Sequence, residues 1–207
     1  MNATSGVVHV IDDDASLRRS LARLLRAHGF VAEAFDSAGS FLSAGLENRT
    51  GCIVLDLHMP AMDGLELQEQ LVQARCRMPI LFLTARGDVQ KCARAFKTGA
   101  FEFLVKPVDE VVLLDAIRKA LEQNRLAEES HALIATIQVR MDQLTDRERE
   151  VMRHLITGAL NKQIGGDLDI AEKTVKVHRA RVLAKMGVTS VAELVRLCAA
   201  AGVEPRH

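Results

Sequence analysis

Residues 51–64 read GCIVLDLHMPAMDG, an apolar run that stops on a single acid, Asp56. Cys52 to Leu55 shows no alternation, the pattern of a strand covered on both faces, as in a parallel sheet packed between helices. Pro60 cannot continue a ladder and Gly64 can take positive φ, so the chain must turn sharply after Asp56. Open parallel sheets carry ligand chemistry at the carboxyl ends of their strands, which makes Asp56 a candidate functional residue. The plain alternative is an acid at a solvated strand end.

Working outward, strand-like runs at Val7 to Ile11, Val31 to Phe35, Ile80 to Leu83 and Phe101 to Val105 alternate with helix-length segments. This predicts an α/β fold, a doubly wound five-stranded parallel sheet. The first strand ends in Asp12, Asp13 and Asp14, the fourth in Thr84 followed by Ala85, and the fifth in Lys106 and Pro107. Three or more acids at one rim repel each other unless a cation sits among them, and an all-oxygen site suits Mg2+. Together these strand ends fit phosphoryl transfer to Asp56: the metal and Lys106 neutralise oxygens, Thr84 donates a hydrogen bond, and Ala85 leaves room.

Composition allows two small domains. Of the 207 residues 48% are apolar, enough for real cores. Formal charge is zero, but residues 1–122 carry 14 basic and 16 acidic side chains and residues 123–207 carry 13 and 11, which suggests two units with different partners. The four cysteines, Cys52, Cys76, Cys92 and Cys198, lack zinc-site spacing and read as free thiols in a reducing compartment. No basic leader with a long apolar core opens the sequence and no membrane-length apolar run occurs, so a cytoplasmic chain is expected.

Beyond Asp109 a helical pattern runs on without Pro or Gly through residues 108–157. Leu126, Leu133, Ile137, Met141 and Leu144 extend its apolar stripe, which fits either a short coiled coil between two chains or packing against this chain's own domains. Thr145 and Glu148 then form a capping box. A helix to Gly158, a short second helix over about Asn161 to Leu168, and a third over AEKTVKVHRARVLAKMG make a helix-turn-helix with a basic third helix: Lys173, Lys176, Arg179, Arg181 and Lys185. A solvated charged face is the competing explanation for that run. Val175, Val182, Leu183 and Met186 form the stripe that docks it.

Two resemblances follow from these residues. Val7 to about Glu122 resembles a bacterial response-regulator receiver domain, on the acidic pair, DLHMPAMDG, Thr84–Ala85 and Lys106–Pro107. The resemblance implies that Asp56 is the phosphoacceptor, that Asp12, Asp13, Asp56 and the main chain at His58 hold Mg2+, and that the Lys106–Pro107 bond is cis. It also implies that Thr84 and Phe103 are switch residues; Phe103 is alternatively a plain core side chain. His58 and Arg86 fall at positions that tune phosphoryl lifetime in the family. The helix expected over about Asp88 to Lys97 departs from the family's usual opening at Lys91 and Cys92.

Leu144 to Val203 resembles a LuxR-type helix-turn-helix domain, on LTDREREV, NKQI, TVKVHR and LAKMGV. By that resemblance Lys173, Thr174, Lys176, Val177 and Ala180 face DNA, Arg179 and Arg181 contact phosphates or bases, and Val191, Leu194, Val195 and Cys198 form a dimer face. His178 and Asn161 read as structural or phosphate-contacting. Gly165 and Gly166 depart from the family, and each weakens the short helix by about 0.8 to 1 kcal/mol. The expected organisation is a receiver over 1–122, a helical linker over 123–143 and an all-α four-helix DNA-binding domain over 144–207, as in response regulators of the NarL/FixJ kind. Partners implied are a sensor histidine kinase, promoter DNA, RNA polymerase and a second copy of the chain when phosphorylated. Two other classes compete: a magnesium-dependent phosphatase or phosphotransferase, against which stand a single nucleophilic strand-end acid, no second acid near Asp56 to serve as general acid for a leaving group and no cap insertion, and a DNA-binding protein with a merely structural receiver, against which the complete acid, Thr and Lys set weighs.

Overall fold

A computed structural model describes residues 6–46, 49–84 and 89–203. Ala85, Arg86 and Asp88, singled out above, lie outside the described residues. The first unit contains five strands, β1 Val7–Ile11, β2 Val31–Phe35, β3 Gly51–Asp56, β4 Ile80–Thr84 and β5 Glu102–Val105, all parallel in the order β2-β1-β3-β4-β5. Every residue of β3 and β4 is buried, as uninterrupted apolar runs require at the centre of a parallel sheet. The edge strands β2 and β5 are largely exposed.

Register sorts the side chains onto two faces. Val8, Val10, Cys52, Val54, Leu81, Leu83 and Leu104 pack with residues of helices α1 (Ala15–Ala27) and α5 (Glu110–Asp142). Ile11, Ile53, Leu55, Ile80 and Phe82 pack with α2 (Ala38–Ser43), α3 (Gly64–Gln73) and α4 (Val89–Lys97). The strand order reverses direction between β1 and β3, which opens a crevice at their carboxyl ends, beside Asp12 and Asp56. Gly64 is needed close to that point: a Cβ there would lie 2.5 Å from the Asp56 carbonyl oxygen.

The long helix α5 begins in this unit and runs past its edge; the chain divides into compact units Met1–Glu128 and Glu129–His207. Asn124, buried on α5, accepts the Gly51 N–H at 2.8 Å and donates to the Arg77 carbonyl at 3.4 Å. It thereby pins α5 to the start of the strand that ends in Asp56. The apolar stripe beyond it splits. Ile137 and Leu144 are buried and Met141 is packed in the second unit's own core, whereas Leu126 and Leu133 are exposed. Packing within the chain therefore accounts for the end of the stripe, and a coiled coil could use only its beginning.

The second unit comprises α6 (Asp146–Ile156), α7 (Asn161–Asp167), α8 (Glu172–Met186) and α9 (Val191–Ala200). The Thr145–Glu148 capping box is formed, and Gly187 ends α8 at φ 66°. The two glycines of α7 differ. A Cβ on Gly165 would sit 2.8 Å from the Ile170 carbonyl oxygen, so the tight turn after α7 requires this glycine, while a Cβ on Gly166 would meet nothing within 4 Å. The expectation that both merely weaken the helix is thus corrected for Gly165.

Two outcomes are expected. A chain ending at Glu122 lacks Asn124 and leaves the buried Gly51 N–H unpaired, so in urea unfolding it should be less stable than one ending at Glu128 by roughly 1–3 kcal/mol; equal midpoints would show Asn124 to be dispensable. Gly166→Ala should stabilise the full chain's second unit by about 1 kcal/mol, whereas Gly165→Ala should lower its thermal midpoint.

Candidate functional site

The crevice is built from three strand ends. Asp12 follows β1 and is 1% exposed, and Asp56 closes β3 at 7% exposed. Lys106, just past β5, places its Nζ 2.9 Å from Asp12 Oδ2 and 2.9 Å from Asp56 Oδ1. Its own N–H donates to the Thr84 carbonyl at 2.8 Å, which fixes the end of β5 against β4, and the Lys106–Pro107 bond is cis, as expected. Thr84 is buried at the end of β4.

Two carboxylates out of water beside one ammonium shape the local acidity. Burial pushes the Asp56 pKa above the ordinary carboxylate value against the opposing pull of Lys106, and the Asp12 charge adds to the rise. Burial alone would lower Lys106, but its hydrogen bonds to Asp12 and Asp56 outweigh it and hold its pKa above the ordinary lysine value. Asp13 is exposed, yet carboxylate oxygens of Asp12, Asp13 and Asp56 all lie within 4.8 Å of one another. An all-oxygen trio of this kind can hold a hard divalent cation. Asp14 stands apart from the trio because its carboxylate caps α1, accepting the Ser16 N–H at 2.7 Å.

His58 and Phe103 lie beside this centre on different elements. The His58 main-chain amide acts to lower the Asp56 pKa, against the burial that raises it, and the His58 ring Nε2 takes the Lys91 ammonium at 2.9 Å. Phe103 on β5 is half-buried, stacked on Phe82 with centroids 4.9 Å apart and tilted against the exposed Phe96 of α4 at 4.8 Å. It borders both the core and the surface. The Lys91–His58 contact and the Arg18 guanidinium, which donates to the Asp12 carbonyl at 2.6 Å, were not foreseen; Lys91 had drawn notice only as an odd residue in its helix.

In the second unit α8 separates its faces. Val175, Val182 and Met186 are fully buried, while Lys173, Thr174, Lys176, Val177, Ala180 and Arg181 are exposed along one helix. Arg179 is half-buried and donates to Asn161 Oδ1 at 3.3 Å. His178 is half-buried, its Nδ1 enclosed and without a hydrogen-bond partner among the described residues. Lys185 must be removed from the basic surface: its Nζ lies 2.6 Å from the buried Glu148 carboxylate and 3.1 Å from the Gln143 carbonyl. The expected dimer face also needs correction. Leu194 and Cys198 are 0% and 1% exposed in the unit's own core, so of the four residues expected there only Val195 and part of Val191 face outward.

Comparison with known proteins agrees with both halves of this description. Residues 8–118 match the response regulator receiver domain, and residues 142–198 match the bacterial regulatory proteins of the luxR family. Nodulation protein W of Bradyrhizobium diazoefficiens is 38% identical over 99% of this chain and 90% of its own length. The transcriptional regulatory protein FixJ of Rhizobium meliloti is 39% identical over 98% and 99%. Among solved structures, full-length FixJ from B. japonicum is 42% identical with a TM-score of 0.60, over 97% of this chain and 98% of that one. The response regulator StyR is 45% identical with a TM-score of 0.86, over 94% and 98%.

The Glu148–Lys185 pair carries a pH dependence. The Lys185 ammonium, helped by the Thr145 N–H, lowers the Glu148 pKa to about 2 from 4.5. A depressed folded-state pKa contributes stability that is complete above the unfolded value and fades as pH falls from about 4.5 toward 2. Glu148→Gln keeps a capping side chain but not the charge. Thermal scans should show it less stable by roughly 2–3 kcal/mol near neutrality, with the gap to wild type closing in acid.

Proposed function

We infer the working of the site from what the chain is: it belongs to the two-component response regulators, as a FixJ-like transcription regulator with a receiver and a luxR-family DNA-binding domain. Asp56 is the phosphoacceptor. The observation that supports this most is its position, buried at the end of β3 with one oxygen on Lys106 and two further acids within reach. A carboxylate oxygen of Asp56 attacks the phosphorus of a phosphohistidine on the partner kinase, the phosphorus–nitrogen bond breaks, and the histidine leaves with its electron pair. Lys106 stays on the incoming oxygens, Thr84 turns its hydroxyl toward them, and Ala85 leaves room for the group.

Asp12, Asp13, Asp56 and the His58 main-chain carbonyl would hold Mg2+, which supplies positive charge to the transferring phosphoryl oxygens. The chain catalyses only its own phosphorylation and dephosphorylation. The phosphoryl group adds about 1.5 to 2 negative charges where Lys106 now balances two carboxylates, and Thr84 and Phe103 carry that change to the surface of α4 and β5. Residues 1–122 act as receiver, 123–143 as helical linker and 144–207 as DNA-binding domain, with Asn124 a structural part of the receiver's base.

The DNA-binding domain reads a promoter through Lys173, Thr174, Lys176, Val177 and Ala180, with Arg179 and Arg181 toward phosphates or bases. Phosphorylation favours a homodimer, which places two reading helices on one operator and raises affinity by avidity. RNA polymerase is the downstream partner, and the setting is the cytoplasm; no described helix is long and apolar enough to cross a membrane. Sedimentation and DNA-shift titrations with magnesium and beryllofluoride test this. The mimic should yield a dimer and tighten DNA binding about tenfold or more, both lost in Asp56→Ala. If neither changed in the wild type, phosphoryl control would be refuted and DNA binding alone retained.

A further inference from the structure

His58 stands two residues after the phosphoacceptor, in the turn that leaves β3, and reaches across to α4. Its ring binds Lys91 Nζ at 2.9 Å. Lysine can only donate, so the His58 Nε2 accepts, and the ring is held toward α4. Lys91 lies in the first turn of α4, and Phe96, one and a half turns on, packs against Phe103. The middle of the helix is fixed otherwise: Gln68 Nε2 donates to the Ala95 carbonyl at 3.1 Å, and Arg94 pairs with Glu69. One short helix thus has its crevice end tied to the neighbour of Asp56 and its far end tied to the aromatic of β5.

We propose that Lys91 is a positioning residue that acts through His58 as a latch. While Asp56 is paired with Lys106, the Lys91–His58 contact holds α4 in the arrangement described here, and the contact must break or lengthen when α4 shifts on phosphorylation. This rests on the phosphoacceptor reading of Asp56. The consequence is reciprocal: a contact made only in one arrangement opposes the event that favours the other, so its removal eases phosphoryl uptake by the same factor. Lys91 is peripheral to the phosphoryl-binding groups, and its replacement leaves Asp12, Asp13, Thr84 and Lys106 in place.

The test is a beryllofluoride titration in magnesium on the full chain, read by sedimentation, beside acetyl phosphate labelling rates and thermal midpoints. Lys91→Met should move the half-saturating beryllofluoride concentration down by about three- to tenfold, the factor expected for the net worth of one ordinary hydrogen bond, and should speed labelling. Lys91→Arg, which restores a donor, should return toward wild type. In a His58→Ala background Lys91→Met should have no further effect, as a double-mutant cycle demands of one shared contact. A wild type that takes up beryllofluoride with a Lys91→Met midpoint that is unmoved, or raised, overturns the latch alone. A wild type that takes up none at Asp56 overturns the phosphoacceptor reading and the latch with it.

Discussion

The ammonium of Lys106, shared at equal distance by Asp12 and Asp56, is the contact on which the first unit's organisation turns. Two carboxylates that are nearly inaccessible to water cannot stay charged side by side without a cation. Meeting that need brings the ends of the first, third and fifth strands to one rim, although the fifth lies two places from the third across the sheet. The side chain of Lys106 has to bridge that gap, and the bond from its main chain to Thr84 anchors the base of the bridge. Asp56 still lies above the ordinary carboxylate value, because one lysine does not fully offset its burial.

The second unit solves the inverse problem. There the buried charge is Glu148, and the cation that answers it comes from the helix whose Lys173, Lys176 and Arg181 face outward. Lys185 joins the end of α8 to the start of α6, and Arg140 reinforces the junction by donating to the Met186 carbonyl at 2.9 Å. Helix α8 is therefore held at its far end by charge and along its length by Val175, Val182 and Met186.

Much of this was legible in the chain. Continuous apolar runs identify central strands because no other element buries both faces over so few residues, and the edges of β1 and β2 fall where the runs end. The acids, Thr84 and Lys106 were legible because each ends a strand or comes just after one, so local pattern places them at one rim. What escaped depends on partners distant in sequence: Asn124 with Gly51, Lys91 with His58, Lys185 with Glu148. An amphipathic stripe tells that a helix has an apolar side and not what covers it, which is why Leu194 and Cys198 read as an interface and proved to be core. A glycine likewise states its freedom and not its neighbour, so Gly165 and Gly166 looked alike until the Ile170 carbonyl was seen against the first.

The separation of faces on α8 also bears on how such a regulator diverges. Residues that dock the helix and residues that meet solvent alternate along it, apart from the half-buried His178, Arg179 and Lys185. Positions 173, 174, 176, 177, 180 and 181 are all exposed, so substitutions there cost little in folding. On the proposed reading, in which these residues face DNA, a copy arising by gene duplication could change operator by a few substitutions that spare the fold while its receiver continued to answer the old signal. Retargeting the circuit and preserving the fold are, on this helix, nearly independent evolutionary tasks.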